Sequence, residues 1–123
     1  MMKNLKIFAT TSTPLIDFKY DEGELRFEGR CFVEHPGEFF KDIEEWIYDY
    51  LKNPKEETDV IFKLDFLNTN SSKIIYKIIK ALSSLDNITF TVYFEEDDED
   101  MIKLFKNYET ILGLHFNNVL IMY

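Results

Sequence analysis

Side chains able to do chemistry are concentrated in one short run, Asn68-Thr69-Asn70-Ser71-Ser72-Lys73. Hydroxyls at the start of a helix normally act as caps, because a side-chain oxygen can accept from the free N–H groups there. A hydroxyl that faces solvent can instead receive a phosphoryl group, which brings about −1.5 to −2 charges and three acceptor oxygens. Local grammar leaves both uses open for Thr69. Other chemistry has less support. His35 and His115 stand apart without a neighbouring ligand set, so no metal site is expected. Cys31 has no nearby histidine and no basic setting, and a strand cysteine is usually a small apolar filler. The polar run lacks the glycines and the Gly-Lys-Ser/Thr ending of a phosphate-cradling loop. No Gly-x-Ser-x-Gly elbow is present. Without a nucleophile–base pair, neither an enzyme nor a cofactor is expected.

The elements that must position this run can be read from periodicity. Val60 to Phe66 has the pattern of a buried strand, within a longer strand over Thr58 to Leu67. Ile74, Ile75, Ile78, Ile79 and Leu82 then fall at helical spacing, and that helix should end near Ser83-Ser84. Tyr76 lies between this apolar face and the stripe Lys73, Lys77, Lys80. It is therefore either an exposed aromatic anchor or a tyrosine at the edge of the core.

Upstream, Leu5 to Ala9 and Leu15 to Tyr20 read as strands, and Asp21-Glu22-Gly23 as a turn. Glu24-Leu25-Arg26-Phe27-Glu28 alternates strictly and completes an antiparallel hairpin expected at the edge of the sheet. Pro36-Gly37 marks a break. From Glu38 a helical stripe runs through Phe39, Phe40, Ile43, Trp46, Ile47, Tyr50 and Leu51 until Asn53-Pro54 stops it. Trp46 reads as a core or interface anchor. Ile88 to Phe94 alternates as a further strand. Glu95 to Asp100 is acidic throughout, and Met101 to Leu112 is a third helix with Gly113 as its C-cap. Val119 to Met122 reads as a last strand or a buried tail. The acidic run fits a solvated helix start, where the macrodipole favours negative charge. A docking patch for a basic partner is the second reading.

The order is β-β-β-α-β-α-β-α-β. It specifies an α/β fold with a mixed sheet, helices packed on it, and parallel strands joined by right-handed crossovers in the second half. Thr69 then lies at a strand's carboxyl end, where functional groups collect in open α/β sheets.

Composition narrows the partners. The 123 residues suit a single domain (1–123) with its own core. A hydrophobic content of 46% and an aromatic content of 16% exclude a disordered chain. A net charge of −9, with Arg26 and Arg30 the only arginines, argues against nucleic acid, whose binding depends on neutralising phosphates. No apolar run reaches the length of a membrane span, so no membrane partner is expected. A single cysteine and the lack of a charged-then-apolar leader suggest a cytoplasmic setting.

Several of these residues together resemble the SiaC family of bacterial regulatory phosphoproteins, which are similar in fold to STAS-type anti-sigma-factor antagonists. The resemblance rests on Thr13-Pro14 with Ile16-Asp17-Phe18, Gly23-x-Leu25, Gly29-Arg30, Glu34, Phe39-Phe40, Trp46 and Tyr50. It continues through Phe62-Lys63-Leu64, the Asn68-Thr69-x-Ser71-Ser72-Lys73 element and Glu96 to Met101. It implies partner switching in cyclic-di-GMP signalling. A dedicated protein kinase would phosphorylate Thr69 and a PP2C-like phosphatase would reverse it. The unmodified form would bind and activate an output protein such as a diguanylate cyclase. Asn68, Asn70, Ser71, Ser72 and Lys73, with Tyr76, would line the contact surface. A constitutive interaction module of the same fold, with Thr69 as a mere N-cap, is the alternative.

Overall fold

A computed structural model describes residues 2–121. The Tyr20–Gly23 turn closes a hairpin between β2 (Leu15–Lys19) and β3 (Glu24–Cys31). Gly23 is needed there on two counts. Its φ is +63°, and any Cβ would collide with the Glu57 carbonyl oxygen. β1 (Leu5–Ile7) pairs antiparallel with β2, and β4 (Thr58–Leu67), β5 (Ile88–Glu95) and β6 (Asn117–Ile121) add in parallel after β3. The sheet therefore has six strands in the order β1-β2-β3-β4-β5-β6. β3 is an interior strand rather than an edge, because β4 pairs along its other side.

Alternation decides which face carries the helices. Ile16, Phe18, Leu25, Phe27, Val60, Phe62, Leu64, Phe90, Val92 and Phe94 are buried on one side. The intervening residues Asp17, Lys19, Glu24, Arg26, Glu28 and Lys63 form a polar, half-exposed face on the other. The helices α2 (Lys41–Lys52), α3 (Thr69–Leu82) and α4 (Glu99–Leu112) all pack on the apolar side. They contribute Ile43 and Ile47, then Ile75, Ile78, Ile79 and Leu82, then Met101, Phe105 and Tyr108 to one cluster with the strands. Among the described residues, no helix is long and apolar enough to cross a membrane.

The remaining elements compare with the sequence reading as follows. A one-turn helix, α1 (Pro36–Phe39), precedes α2, so the expected single helix from Glu38 is broken in two. Pro36 explains the start, since its fixed φ and missing N–H suit a first helical turn. α3 begins at Thr69, so its first turn takes in the polar run after Asn68. Of the two readings for the last segment the strand holds rather than the buried tail; it begins earlier, at Asn117, is mostly exposed, and Met122 lies outside the described residues. The expected C-cap is present, with Gly113 at φ +66°.

Gly23 and Gly113 separate two costs of adding a side chain. Gly113→Ala meets nothing within 4 Å and suffers only from its left-handed backbone. It should lose about 1–2 kcal/mol of unfolding free energy. Gly23→Ala adds the collision with Glu57 and should lose more, which urea titration of both variants will measure.

Candidate phosphoacceptor and docking surface

Asn68 organises the start of α3. Its backbone is extended (φ −73°, ψ 164°) and its Oδ1 accepts from the Ser71 N–H at 3.1 Å. Its Nδ2 donates to the Val33 carbonyl at 2.9 Å, and its own N–H donates to the Cys31 carbonyl. One side chain thus caps the helix and ties it to the segment leaving β3. The N-cap role considered for Thr69 is therefore filled by its neighbour. Thr69 is the first helical residue and is exposed, and its Oγ1 makes no hydrogen bond among the described residues.

The other expected surface residues divide into two groups. Asn70 and Lys73 are exposed, Lys73 one turn beyond Thr69 and without an ion-pair partner among the described residues. Ser72 is half-buried, with its Oγ donating to the Thr69 carbonyl at 2.7 Å and its own carbonyl accepting from Tyr108 Oη at 2.8 Å. Ser71 corrects the expectation. It is fully buried, because it opens the inward stripe that continues as Ile75, Ile78, Ile79 and Leu82, so it cannot meet a partner. Its Oγ lies beside the Cys31 thiol without a well-directed hydrogen bond. Burial pushes the Cys31 pKa up, and the Ser71 hydroxyl offsets part of that rise. Cys31 is fully buried, as a small apolar filler should be. Tyr76 is half-buried with its ring 5.6 Å from that of Tyr108, which makes it an edge-of-core residue rather than an exposed anchor.

Sequence reasoning missed the aromatic part of this surface. The β3–β4 register shifts between Gly29 and Arg30, where Gly29 faces Leu64 but Arg30 faces Phe66. Asp65 is the extra residue of a β-bulge, a device that re-aims side chains near functional sites. Phe66, which simple alternation would send inward after Val60, Phe62 and Leu64, is turned outward and is 40% exposed. It meets Phe32, 48% exposed, with ring centroids 5.6 Å apart, and the Arg30 guanidinium lies 5.5 Å from its ring. An open groove of about 430 Å³ runs beside Phe32, between Ser12-Thr13 and the Val33 to Phe39 segment. Because Asn68 holds Val33, these aromatics and Thr69 share one end of the sheet.

The acidic run serves the helix it precedes. Asp98 caps α4 by accepting from the Met101 N–H, and Glu99 and Asp100 fill the first turn. His35 and His115 are both exposed. Among the described residues, no group of three or more His, Cys, Asp or Glu could hold a metal ion.

The sheet carries its helices on one face, and at one end it presents the exposed Thr69 of a helix start near the exposed aromatics Phe32 and Phe66. The sequence model of the SiaC family regulatory phosphoproteins matches residues 7–121, and the chain belongs to that family. An uncharacterized protein of Pseudomonas aeruginosa strain UCBPP-PA14 is 30% identical over 81 residues, which are 66% of this chain and 64% of that protein. The match thus spans just under two thirds of the relative's length. Among solved structures, SiaC of Pseudomonas aeruginosa superposes with a TM-score of 0.82 at 21% identity, over 99% of this chain and 100% of that one. SiaC in the crystal structure of the diguanylate cyclase SiaD with its activator SiaC gives a TM-score of 0.80 at 22% identity, over 94% and 97%.

Two measurements test the local geometry. Asn68→Ala should lose about 1–2 kcal/mol of stability through the cap and the Val33 bond, whereas Thr69→Ala should change it by less than about 0.5 kcal/mol. Ser71→Ala should be neutral or better, since it removes a buried hydroxyl that lacks a partner. Chemical denaturation of the three variants will rank them.

Burial pushes the Tyr108 pKa up to about 12, and the Ser72 side chain offsets part of that rise. An unfolded tyrosine ionises near pH 10. Between those values the unfolded chain holds fewer protons, so stability falls as pH rises. The Tyr108 contribution is therefore intact below about pH 10 and lost as pH climbs through about 12. Tyr108→Phe should flatten that alkaline slope in pH-dependent unfolding.

Proposed function

We propose that this chain is a partner-switching regulator whose unmodified form docks on and activates an output protein, and whose phosphorylation at Thr69 prevents docking. A protein kinase would transfer the γ-phosphoryl group of ATP to Thr69 Oγ1, releasing ADP, and a PP2C-like phosphatase would return it to water as phosphate. The chain itself would act without turnover. A diguanylate cyclase is the output class supported by the solved SiaC relative, whose complex is with its cyclase SiaD.

One observation carries this reading. The Thr69 hydroxyl is exposed and free while Asn68 does the capping. A phosphate there would sit at a helix N-terminus, where negative charge is tolerated or favourable by up to about 2 kcal/mol. Lys73, one turn on, is positioned to pair with it. The fold would therefore survive the modification. At a docked surface the same dianion would have to lose its water. A penalty of ~3 kcal/mol weakens binding about a hundredfold. Phe32, Phe66 and Arg30 supply the kind of aromatic and arginine anchors on which interfaces depend. Asn70 and Lys73 would extend that contact around Thr69.

The test is intact-mass analysis after incubation with the cognate kinase and ATP, followed by titration against the output protein. One phosphate should add to the wild type and none to Thr69→Ala, and the phosphorylated chain should bind about a hundredfold more weakly. Phe66→Ser should weaken the unmodified complex by at least tenfold while leaving phosphorylation intact. Phosphate uptake by Thr69→Ala would reject Thr69 as the acceptor, and equal affinity of both forms would favour the constitutive module.

A further inference from the structure

α3 differs in charge from the helices beside it. α2 carries four carboxylates against two lysines and α4 three against two, and both have acids in the first turn. α3 has three lysines and no acid at all, in a chain whose net charge is −9. Lys73, Lys77 and Lys80 are all exposed. They follow Thr69 at i+4, i+8 and i+11, a spacing that sets the four residues along one face of the helix. This stripe is only lightly neutralised. Lys77 Nζ lies 3.4 Å from a Glu44 oxygen of α2, and neither Lys73 nor Lys80 has an ion-pair partner among the described residues. Helix electrostatics accounts for one lysine of the three. Lys80 sits in the last turn, where the macrodipole favours a cation, whereas Lys73 lies toward the positive end and gains nothing from it.

We infer that this cationic stripe is the docking surface for the kinase, which meets it with an acidic surface of its own. The inference rests on Thr69 being the phosphoacceptor. Charge complementarity selects the occupant. A kinase must cover Thr69 to reach its Oγ1, and a protein that extends from there along α3 meets three lysines and no carboxylate of that helix. The aromatic patch lies on the other flank. Arg30 and its strand partner Phe66 face away from the helices, on the opposite side of the sheet from α3. Buried aromatic anchors suit a complex that persists. Charge speeds encounter more than it deepens affinity, which suits an enzyme that must release its product after each turnover.

Phosphorylation then ends the encounter that produced it. The stripe presents three positive charges before the reaction. A phosphate on Thr69 adds about −1.5 to −2 at the head of the same face, beside Lys73, and leaves it with roughly one positive charge. Most of its attraction for an acidic surface is gone. The kinase therefore tells substrate from product by the charge of one helix face.

Steady-state phosphorylation of the full chain by the cognate kinase and ATP provides the test, with affinity for the output protein measured in parallel. The main variant combines Lys77→Glu with Lys80→Glu, and the control combines Lys77→Arg with Lys80→Arg. Lys80 is roughly 16 Å along the helix axis from Thr69, too far to touch the reacting atoms. The glutamate variant should raise KM about tenfold at low salt, with kcat and output affinity unchanged. The arginine variant should behave as the wild type. Lys80→Gln breaks no ion pair among the described residues and should raise KM about threefold, which guards against misfolding of the double variant. The wild-type KM should rise with ionic strength, and that of the glutamate variant should not. Thr69→Ala should inhibit competitively, and the phosphorylated chain should inhibit about tenfold less. An unchanged KM in the glutamate variant, or an equal loss of output binding, would overturn the inference while leaving Thr69 as the acceptor. A wild type that takes up no phosphate would reject the Thr69 reading itself, and the inference with it.

Discussion

The carboxamide of Asn68 is the constraint on which this surface depends. Its oxygen caps α3 through the Ser71 N–H, and its nitrogen holds the Val33 carbonyl in the segment after β3. Because one side chain does both, the hydroxyl of the residue after it is not needed for capping. Thr69 can sit at a helix N-terminus, exposed, with its hydroxyl uncommitted. A hydroxyl spent on capping would already be engaged, and modifying it would disturb the helix start. Here the cap and the candidate acceptor are adjacent but separate, so a charge could be added without undoing the fold.

The same bond aligns two structural devices. β4 reaches the site through a bulge at Asp65 that turns Phe66 onto the outer face, beside Phe32 and under Arg30. β3 delivers Val33 to Asn68 and borders the groove. Behind them Tyr108 donates to the Ser72 carbonyl and fixes α4 against the first turn of α3. The site is thus supported from the sheet on one side and a second helix on the other.

Much of this was legible in the sequence. The strict alternation of Glu24 to Glu28 and of Ile88 to Phe94 was enough for those strands, because each has one wet face. The i, i+4 spacing from Ser71 to Ile75 also held the signal that Ser71 points inward, although its hydroxyl obscured it. What alternation could not show was Phe66. A bulge is a property of strand pairing, and one extra residue reverses every side chain beyond it. The split between α1 and α2 was hidden in the same way, since Phe39 and Phe40 continue the apolar stripe across the break. The identity of the cap depended on whether Asn68 or Thr69 had the extended backbone, and composition alone does not distinguish them.

The most direct measurement is a comparison of ¹H–¹⁵N NMR spectra of the unmodified chain and the chain carrying phosphothreonine at position 69. A free, non-structural acceptor predicts amide shifts confined to 66–73 and the adjoining 30–35 segment, with β1, β5 and the body of α4 unchanged. Shifts spread through the core strands, or loss of dispersed signals, would mean that the hydroxyl supports the architecture, and would contradict the account.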